Sequence, residues 1–174
     1  MKNIILYLFI VIFIVSCNNN DDTTVIDYED FFPEEIPDND QYQLKFYKNS
    51  EVESTTNGSY TNAQIVSGNN LVFEYKYVFE DDPILSDDEY TEIILFEVNP
   101  DVNEFFISDE ELLNANSMLG TICFCAPSGF FNISDGWIKG KKLNENEWQI
   151  DLSVSYDFEY REYTKMISEI FTAE

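Results

Sequence analysis

The amino-acid sequence predicts an all-β domain, and three observations support that fold class. Apolar and polar residues alternate with a period of two along several runs, turn-forming residues separate these runs, and one short segment has a helix signal. We expect a single antiparallel β-sandwich of about seven to nine strands over residues 42–174. A lipocalin-like β-barrel is the alternative, because both architectures alternate buried and exposed side chains.

The clearest strand pattern lies in residues 148–158. Polar Asp151, Ser153 and Ser155 alternate there with apolar side chains, which are Trp148, Ile150, Leu152, Val154, Tyr156 and Phe158. Such alternation is typical of an antiparallel strand with one buried and one solvent-facing side. This run therefore predicts a strand with its apolar parity in the core.

Other runs predict further strands. Residues 71–79 repeat the alternation, and residues 42–46 do so more briefly. Residues 91–98 are apolar at both parities, which predicts a central strand covered on both faces. Residues 160–172 fit a closing strand, which we prefer to a helix whose face would be Tyr160, Tyr163, Ile167 and Ile170.

Turn chemistry falls between these runs. Residues that tolerate positive φ or bond their own backbone occur at Asn57-Gly58, Gly68-Asn69-Asn70, Asn99-Pro100-Asp101 and Asn144-Glu145-Asn146. We expect one hairpin to join residues 63–66 with 71–79 and another to join 136–142 with 148–158. Ser108, with Glu111 three positions later, forms a capping-box pattern and predicts a short helix over residues 109–115.

Residues 1–16 have the pattern of a lipoprotein signal peptide. Lys2 is followed by an apolar run over residues 4–15, and the small residue Ser16 precedes Cys17. The run has about 12 residues and would span roughly 18 Å as a helix, against a hydrocarbon core of ~30 Å. We therefore expect cleavage before Cys17 and lipidation of that cysteine, with palmitate-type acyl chains as the membrane anchor. An ordinary signal peptide with a chance cysteine is the alternative.

Residues 17–41 are polar and acidic and predict a flexible tether behind the lipid. Together with the signal peptide, the Asn18-Asn19-Asn20-Asp21-Asp22 run resembles the small cell-envelope lipoproteins of the Bacteroidota. That resemblance covers residues 1–22 and implies an outer-membrane lipoprotein. In some of that group an acidic stretch behind the lipid routes the protein to the cell surface, and Asp21 and Asp22 match it. A periplasm-facing location is the alternative.

The composition excludes several classes of function. The chain has 34 Asp and Glu against 9 Lys and Arg, a formal net charge of −25, and no histidine. Such a chain repels phosphate backbones, so we expect no nucleic-acid partner. The absence of histidine removes the commonest zinc ligand and every nucleophile that a histidine would activate. The acidic runs at 80–82 and 87–89 lack EF-hand spacing, so we predict no metal site. No pair of carboxylates stands out from the others as a glycosidase pair would, so we predict no enzyme activity and no cofactor.

Cys123 and Cys125 are the one pair with intrinsic chemical interest. On an ideal strand they share a face with Cα atoms roughly 6.5–7 Å apart, at the upper limit for a disulfide. The Ala126-Pro127-Ser128-Gly129 sequence that follows favours a bend. A disulfide, two buried thiols and a redox or Cu(I) site all stay open as interpretations.

Trp137, Lys139 and Lys141 share one parity in a basic stretch. Protection of an exposed edge strand by lysine is our preferred interpretation, and a recognition patch is the alternative. Overall, the sequence predicts a non-catalytic lipoprotein whose β domain binds or shields an unidentified ligand. A small-ligand carrier with a barrel cavity and an acidic immunity-type inhibitor of a basic toxin are the alternative functions.

Overall fold

The computed structural model describes residues 31–38, 41–79, 89–124, 128–158 and 161–174. Phe31–Glu174 form one compact unit, so the folded part begins earlier than the predicted boundary at residue 42. The described residues contain nine strands and one short helix. These are β1 (Tyr42–Asn57), β2 (Tyr60–Val78), β3 (Tyr90–Val98), β4 (Glu104–Ser108), α1 (Glu110–Asn114), β5 (Met118–Cys123), β6 (Gly129–Asn132), β7 (Asp135–Asn144), β8 (Glu147–Phe158) and β9 (Arg161–Ala173).

All nine strands belong to a single sheet, in the order β4-β7-β8-β9-β1-β2-β3-β5-β6. Neighbouring strands are antiparallel except β1 and β9, which pair in parallel through Lys45 with Thr172 and Phe46 with Ala173. The sheet does not close into a barrel. The all-β sandwich class is thus confirmed, and the lipocalin-like barrel is wrong.

The main cluster of buried side chains lies where distant strands of this sheet face each other. Phe73 on β2 and Trp148 on β8 are separated in the sheet by β9 and β1, yet their ring centroids lie 5.6 Å apart. The Phe73 and Phe171 rings are 6.0 Å apart. The main cluster consists of Phe46, Leu71, Phe73, Tyr75, Ile94, Phe96, Val98, Leu112, Leu119, Ile133, Ile138, Trp148, Ile150, Leu152, Val154, Ile167 and Phe171.

Strand β8 has the predicted register. Ile150, Leu152 and Val154 are each 0% exposed, whereas Asp151 and Ser153 are partly exposed. The β7–β8 hairpin is also confirmed, and it turns at the predicted position. Period-two alternation was sufficient here because one face of the hairpin is covered and the other is not.

Strand β3 is covered on both faces, as predicted. Its Ile94 and Phe96 belong to the main cluster, whereas Ile93 and Leu95 point to the opposite side. There they form a second cluster of buried residues, with the partly buried hairpin residues packed against it. The second cluster consists of Ile93, Leu95, Met118 and Phe130, contacted by Val52, Ala63 and Ile65.

The predicted hairpin between residues 63–66 and 71–79 is wrong. Both runs belong to one continuous strand, β2, which pairs with β1 through a turn at Gly58 and Ser59. Gly68 does not lie in a turn. It lies against the side chain of Glu51, and a Cβ at position 68 would overlap that side chain. The register shifts at a β-bulge around Ser50, preceded by Asn49 at φ 53°. The glycine and asparagines therefore build a bulge rather than a turn.

The predicted helix forms in a shorter version. α1 spans Glu110–Asn114, and the predicted capping box is wrong, because Ser108 is paired with Trp137 as the last residue of β4. Asp109 is the N-cap, at φ 48°, and makes no side-chain capping bond. At this positive φ the chain changes from strand to helix at Asp109, so Ser108 is still part of β4 and does not occupy the N-cap position.

The segment before β1 lies alongside the C-terminal strand. The C-terminal run forms the predicted strand, β9, rather than a helix. Ahead of β1, the backbone N–H of Glu34 donates to the carbonyl of Met166 at 2.9 Å, and Ile36 packs against the main cluster. This segment therefore covers the edge of β9 where β1 no longer pairs with it.

Candidate functional site

A cleft of about 500 Å³, open to solvent, lies where three parts of the sheet meet. The far end of the β1–β2 hairpin contributes Ser54, Thr56 and Thr61. Strands β5 and β6 contribute Met118, Phe130, Phe131 and Asn132. The start of β7 and the facing part of β8 contribute Ser134, Asp135, Ser155 and Tyr156.

The cleft is rich in hydroxyl groups and poor in charge. Among the described residues that line it there is neither Lys nor Arg, and Asp135 is their one carboxylate. The Thr56 and Thr61 hydroxyl oxygens are 3.0 Å apart, and Ser155 pairs with Thr164 across strands at 2.9 Å. Because each hydroxyl can both donate and accept, these pairs keep hydrogen-bonding capacity for a ligand.

The second cluster positions the hairpin wall. One face of the β1–β2 hairpin carries Val52, Ala63 and Ile65, which pack on β3 and β5. The same face carries Ser54 and Thr61, which line the cleft. Hairpin packing and cleft shape are thus set by one row of side chains.

Glu97 ties this hairpin to the rest of the domain. The residue is 9% exposed, and its carboxylate accepts three hydrogen bonds from the protein. Oε1 accepts from the backbone N–H of Val52 at 2.6 Å and from Asn116 Nδ2 at 3.0 Å, and Oε2 accepts from Asn70 Nδ2 at 2.6 Å. A buried carboxylate satisfied by three donors fixes the bulge of the hairpin against β3.

The ring of Phe130 forms the floor shared by the second cluster and the cleft. It lies over Gly120 of the neighbouring strand β5, and a Cβ at position 120 would meet the ring at 2.6 Å. Phe130 is 5% exposed, whereas the adjacent Phe131 is 36% exposed. The sheet edge at β6 thus presents one buried and one accessible aromatic side chain.

A separate polar cluster surrounds Lys165 at one end of the main cluster. Lys165 Nζ lies 2.9 Å from Glu34 Oε2, 3.0 Å from Glu92 Oε1 and 5.3 Å from the centroid of the Tyr75 ring. Burial lowers the pKa of Lys165, but the carboxylates of Glu92 and Glu34 outweigh it, so the pKa is raised. Burial raises the pKa of Tyr75 as well. This cluster fastens the segment before β1 to β9 and β3.

The structure places Trp137, Lys139 and Lys141 together on one face of β7, and none of the three is among the residues that line the cleft. They stand opposite Ser108, Phe106 and Glu104 of β4. The Trp137 ring contacts Phe31 and Phe106, with centroids 5.1 and 6.5 Å apart. Because β4 pairs with this whole stretch, β7 is an interior strand and the edge-protection interpretation is wrong. The recognition patch stays a prediction.

The cysteines are placed only in part. Cys123 ends β5 and is disulfide-bonded. The interpretation of two buried thiols is therefore wrong. Cys125 and Cys17 lie outside the described residues, so the possible Cys123–Cys125 disulfide and the lipidation of Cys17 stay predictions. The same holds for the signal peptide, the surface-routing stretch and most of the acidic runs near residues 80–89.

Sequence patterns did not indicate the cleft. Ser54, Thr56 and Thr61 are hydroxyl residues near a hairpin tip, where they are ordinary on any solvent-facing strand. Asp135 is one of many carboxylates in the chain. These residues converge only because the hairpin bends back over β5 and β6, and no local pattern encodes that contact.

Comparisons with protein-family models, with curated proteins and with solved structures find no match to this chain. Within the described ranges, no helix has the length and apolar character needed to span a bilayer. In that same part of the chain, Cys, Asp and Glu side chains nowhere gather in a group of three or more that would hold a metal ion.

Proposed function

We propose that this protein is a non-catalytic, lipid-anchored cell-envelope lipoprotein whose β domain binds a small polar ligand in the cleft. The observation that carries the binding role is the cleft itself, with its hydroxyl side chains and exposed Phe131. Ligand pockets typically enclose roughly 300–1,000 Å³ and combine apolar surface with a few placed polar groups. The volume of the cleft, about 500 Å³, falls in that range, and its lining includes both apolar and polar side chains.

An open cleft favours a binding module over the two alternative functions. A carrier in a closed barrel needs an interior cavity, and this sheet does not close. An acidic plug for a basic toxin needs a contiguous carboxylate face, and the described lining of the cleft, with Asp135 as its carboxylate, is not such a face.

The lipid anchor is tested by Cys17→Ala, with Asn18→Ala as the neighbouring control. We expect the wild type and Asn18→Ala to partition into detergent and to carry an acylated Cys17 peptide in mass spectrometry. Cys17→Ala should stay unprocessed or aqueous. An unmodified N-terminal peptide cleaved elsewhere in the wild type contradicts the anchor.

The proposed location is the outer face of the outer membrane, with Asp21 and Asp22 as part of the routing signal. Protease treatment of intact cells should digest the wild-type domain, and replacement of both aspartates by alanine should reduce that digestion. Full protection of the wild-type domain until lysis contradicts surface display.

Binding is tested by thermal shift of the full chain with sugars, polyols, amino acids and dipeptides. Phe131→Ala and Phe106→Ala form a matched pair, because both side chains are 36% exposed and lie on β6 and β4, the two edge strands of the sheet. A ligand that raises the Tm of the wild type and of Phe106→Ala, but not of Phe131→Ala, supports the cleft. If no compound gives a shift that depends on Phe131, the cleft is not the binding site.

A further inference from the structure

We infer that the ligand of the cleft is an uncharged oligosaccharide, an inference that rests on the proposed binding function. The first step concerns charge. In the described part of the chain, the side chains that line the cleft include no cation to pair with an anion, and the carboxylate of Asp135 repels one. An anionic group would lose its hydration there without compensation, so phosphorylated, sulfated and uronic-acid ligands are disfavoured.

The second step concerns hydrogen bonding. The cleft walls present hydroxyls from Thr56, Thr61 and Ser155 and the side-chain amide of Asn132. Hydroxyls and amides donate and accept, whereas the Asp135 carboxylate only accepts. A ligand that carries several hydroxyl groups in fixed positions matches such a surface, because each ligand hydroxyl can also act in both senses.

The third step concerns the aromatic side chains. Phe131 is 36% exposed, and both Phe131 and Tyr156 line the cleft. A pyranose ring has C–H groups on one face and hydroxyl groups around its rim, so it can cover an aromatic ring while its rim bonds to polar walls. Aromatic side chains supply this apolar area with little loss of conformational freedom. Amino acids and polyols lack a flat C–H face of that size.

The fourth step concerns shape. The cleft is open to solvent, so a chain of sugar units can enter it and continue into solvent. A closed pocket would select a single free sugar. The open geometry therefore favours an oligosaccharide over a monosaccharide.

The test uses the full chain and isothermal titration with maltohexaose, cellohexaose, xylohexaose and mannohexaose as neutral probes. Hexagalacturonate and a tetrapeptide serve as the anionic and non-sugar probes. We expect saturable binding of at least one neutral probe, weakened about ten-fold or more by Phe131→Ala and by Asp135→Ala, and unchanged by Phe106→Ala. Circular dichroism spectra and Tm values of the variants confirm that each one is folded.

Three outcomes overturn the inference, and the first of them leaves the proposed function standing. Tighter binding of hexagalacturonate or of the tetrapeptide, still dependent on Phe131, rejects the neutral sugar but keeps the cleft as a binding site. Binding of a neutral probe that Phe106→Ala weakens and Phe131→Ala does not would move the sugar site to the β4–β7 face. No Phe131-dependent binding of any probe rejects the sugar, and the broader thermal-shift screen then decides whether the cleft binds anything.

Discussion

The main cluster and the second cluster are both apolar, but they hold different things together. The main cluster joins strands that are far apart in the sheet and contains side chains at or near 0% exposure from β1, β2, β3, β7, β8 and β9. The second cluster has four buried members and otherwise relies on partly buried hairpin residues. The first therefore carries the stability of the domain, and the second fixes the position of one hairpin.

This difference separates folding from the proposed function. The cleft borders the second cluster through Met118 and Phe130, which belong to both. Elements that hold ligand sites are often drawn from the less stable parts of a protein. We therefore expect substitutions in the main cluster to unfold the domain, and substitutions at the second cluster to move the cleft wall while the domain stays folded.

The largest expected effect is at Leu152, in the main cluster. Leu152→Ala leaves a cavity at a side chain that is 0% exposed, and should lower the free energy of unfolding by about 2–5 kcal/mol. Ser153→Ala, the next residue on the opposite face of β8, should change it by less than about 0.5 kcal/mol. Urea denaturation measures both. Equal losses, or a larger loss for the serine, would contradict the register of β8.

The second effect concerns Lys165, where charge borders the main cluster. Lys165→Met leaves Glu92 without its cation at 12% side-chain exposure, and we expect a loss of about 1–3 kcal/mol at neutral pH. Lys45→Met removes an ion pair with Glu174 at the surface, where the side chains are 35% and 56% exposed, and should cost about 0–1 kcal/mol. A greater loss for Lys45→Met than for Lys165→Met would show that the Lys165 cluster is not a fastening point.

The same pair of variants gives a pH dependence. The pKa of Lys165 is raised above its ordinary value of 10.5, so the folded state holds this proton more tightly than the unfolded state. Its stabilising contribution is therefore complete below about pH 10.5 and falls as pH rises through the folded pKa. The difference in stability between wild type and Lys165→Met should thus stay constant up to about pH 10 and shrink at more alkaline pH. A difference that grows with alkaline pH would contradict the sign.

The two clusters also differ in how far the sequence predicts them. Around Leu152 the core follows from local alternation, because a strand with one covered face leaves its pattern in its own residues. The predicted turn at Gly68 and Asn69 is wrong for a physical reason. The same residue types occur in turns and in β-bulges, and pairing with the partner strand decides which of the two forms. Glu97 is buried in an apolar strand, and its donors come from Asn70, Asn116 and Val52, which are distant in sequence. The cleft depends on such contacts between distant segments, and alternation within one strand does not encode them.

Among the three test substitutions, apart from their controls, the smallest expected effect on stability is at Ile65 in the hairpin, which is also the most direct test of the comparison. Ile65 packs against the second cluster but is only partly buried, so Ile65→Ala should cost about 1–2 kcal/mol, less than the same change at a fully buried isoleucine.

The main effect of Ile65→Ala should be local to the hairpin. Amide hydrogens of the far hairpin, around Val52 and Ala63, should exchange faster, while those of β8 keep their protection, because the hairpin can leave β3 and β5 without opening the main cluster. Gln64→Ala is the matched control, since Gln64 is exposed on the other face and bonds only to Glu53 across the hairpin at 2.7 Å. Hydrogen exchange followed by mass spectrometry resolves the two regions. If Ile65→Ala speeds exchange equally in the hairpin and in β8, the two clusters unfold as one unit, and the cleft wall cannot move independently of the core.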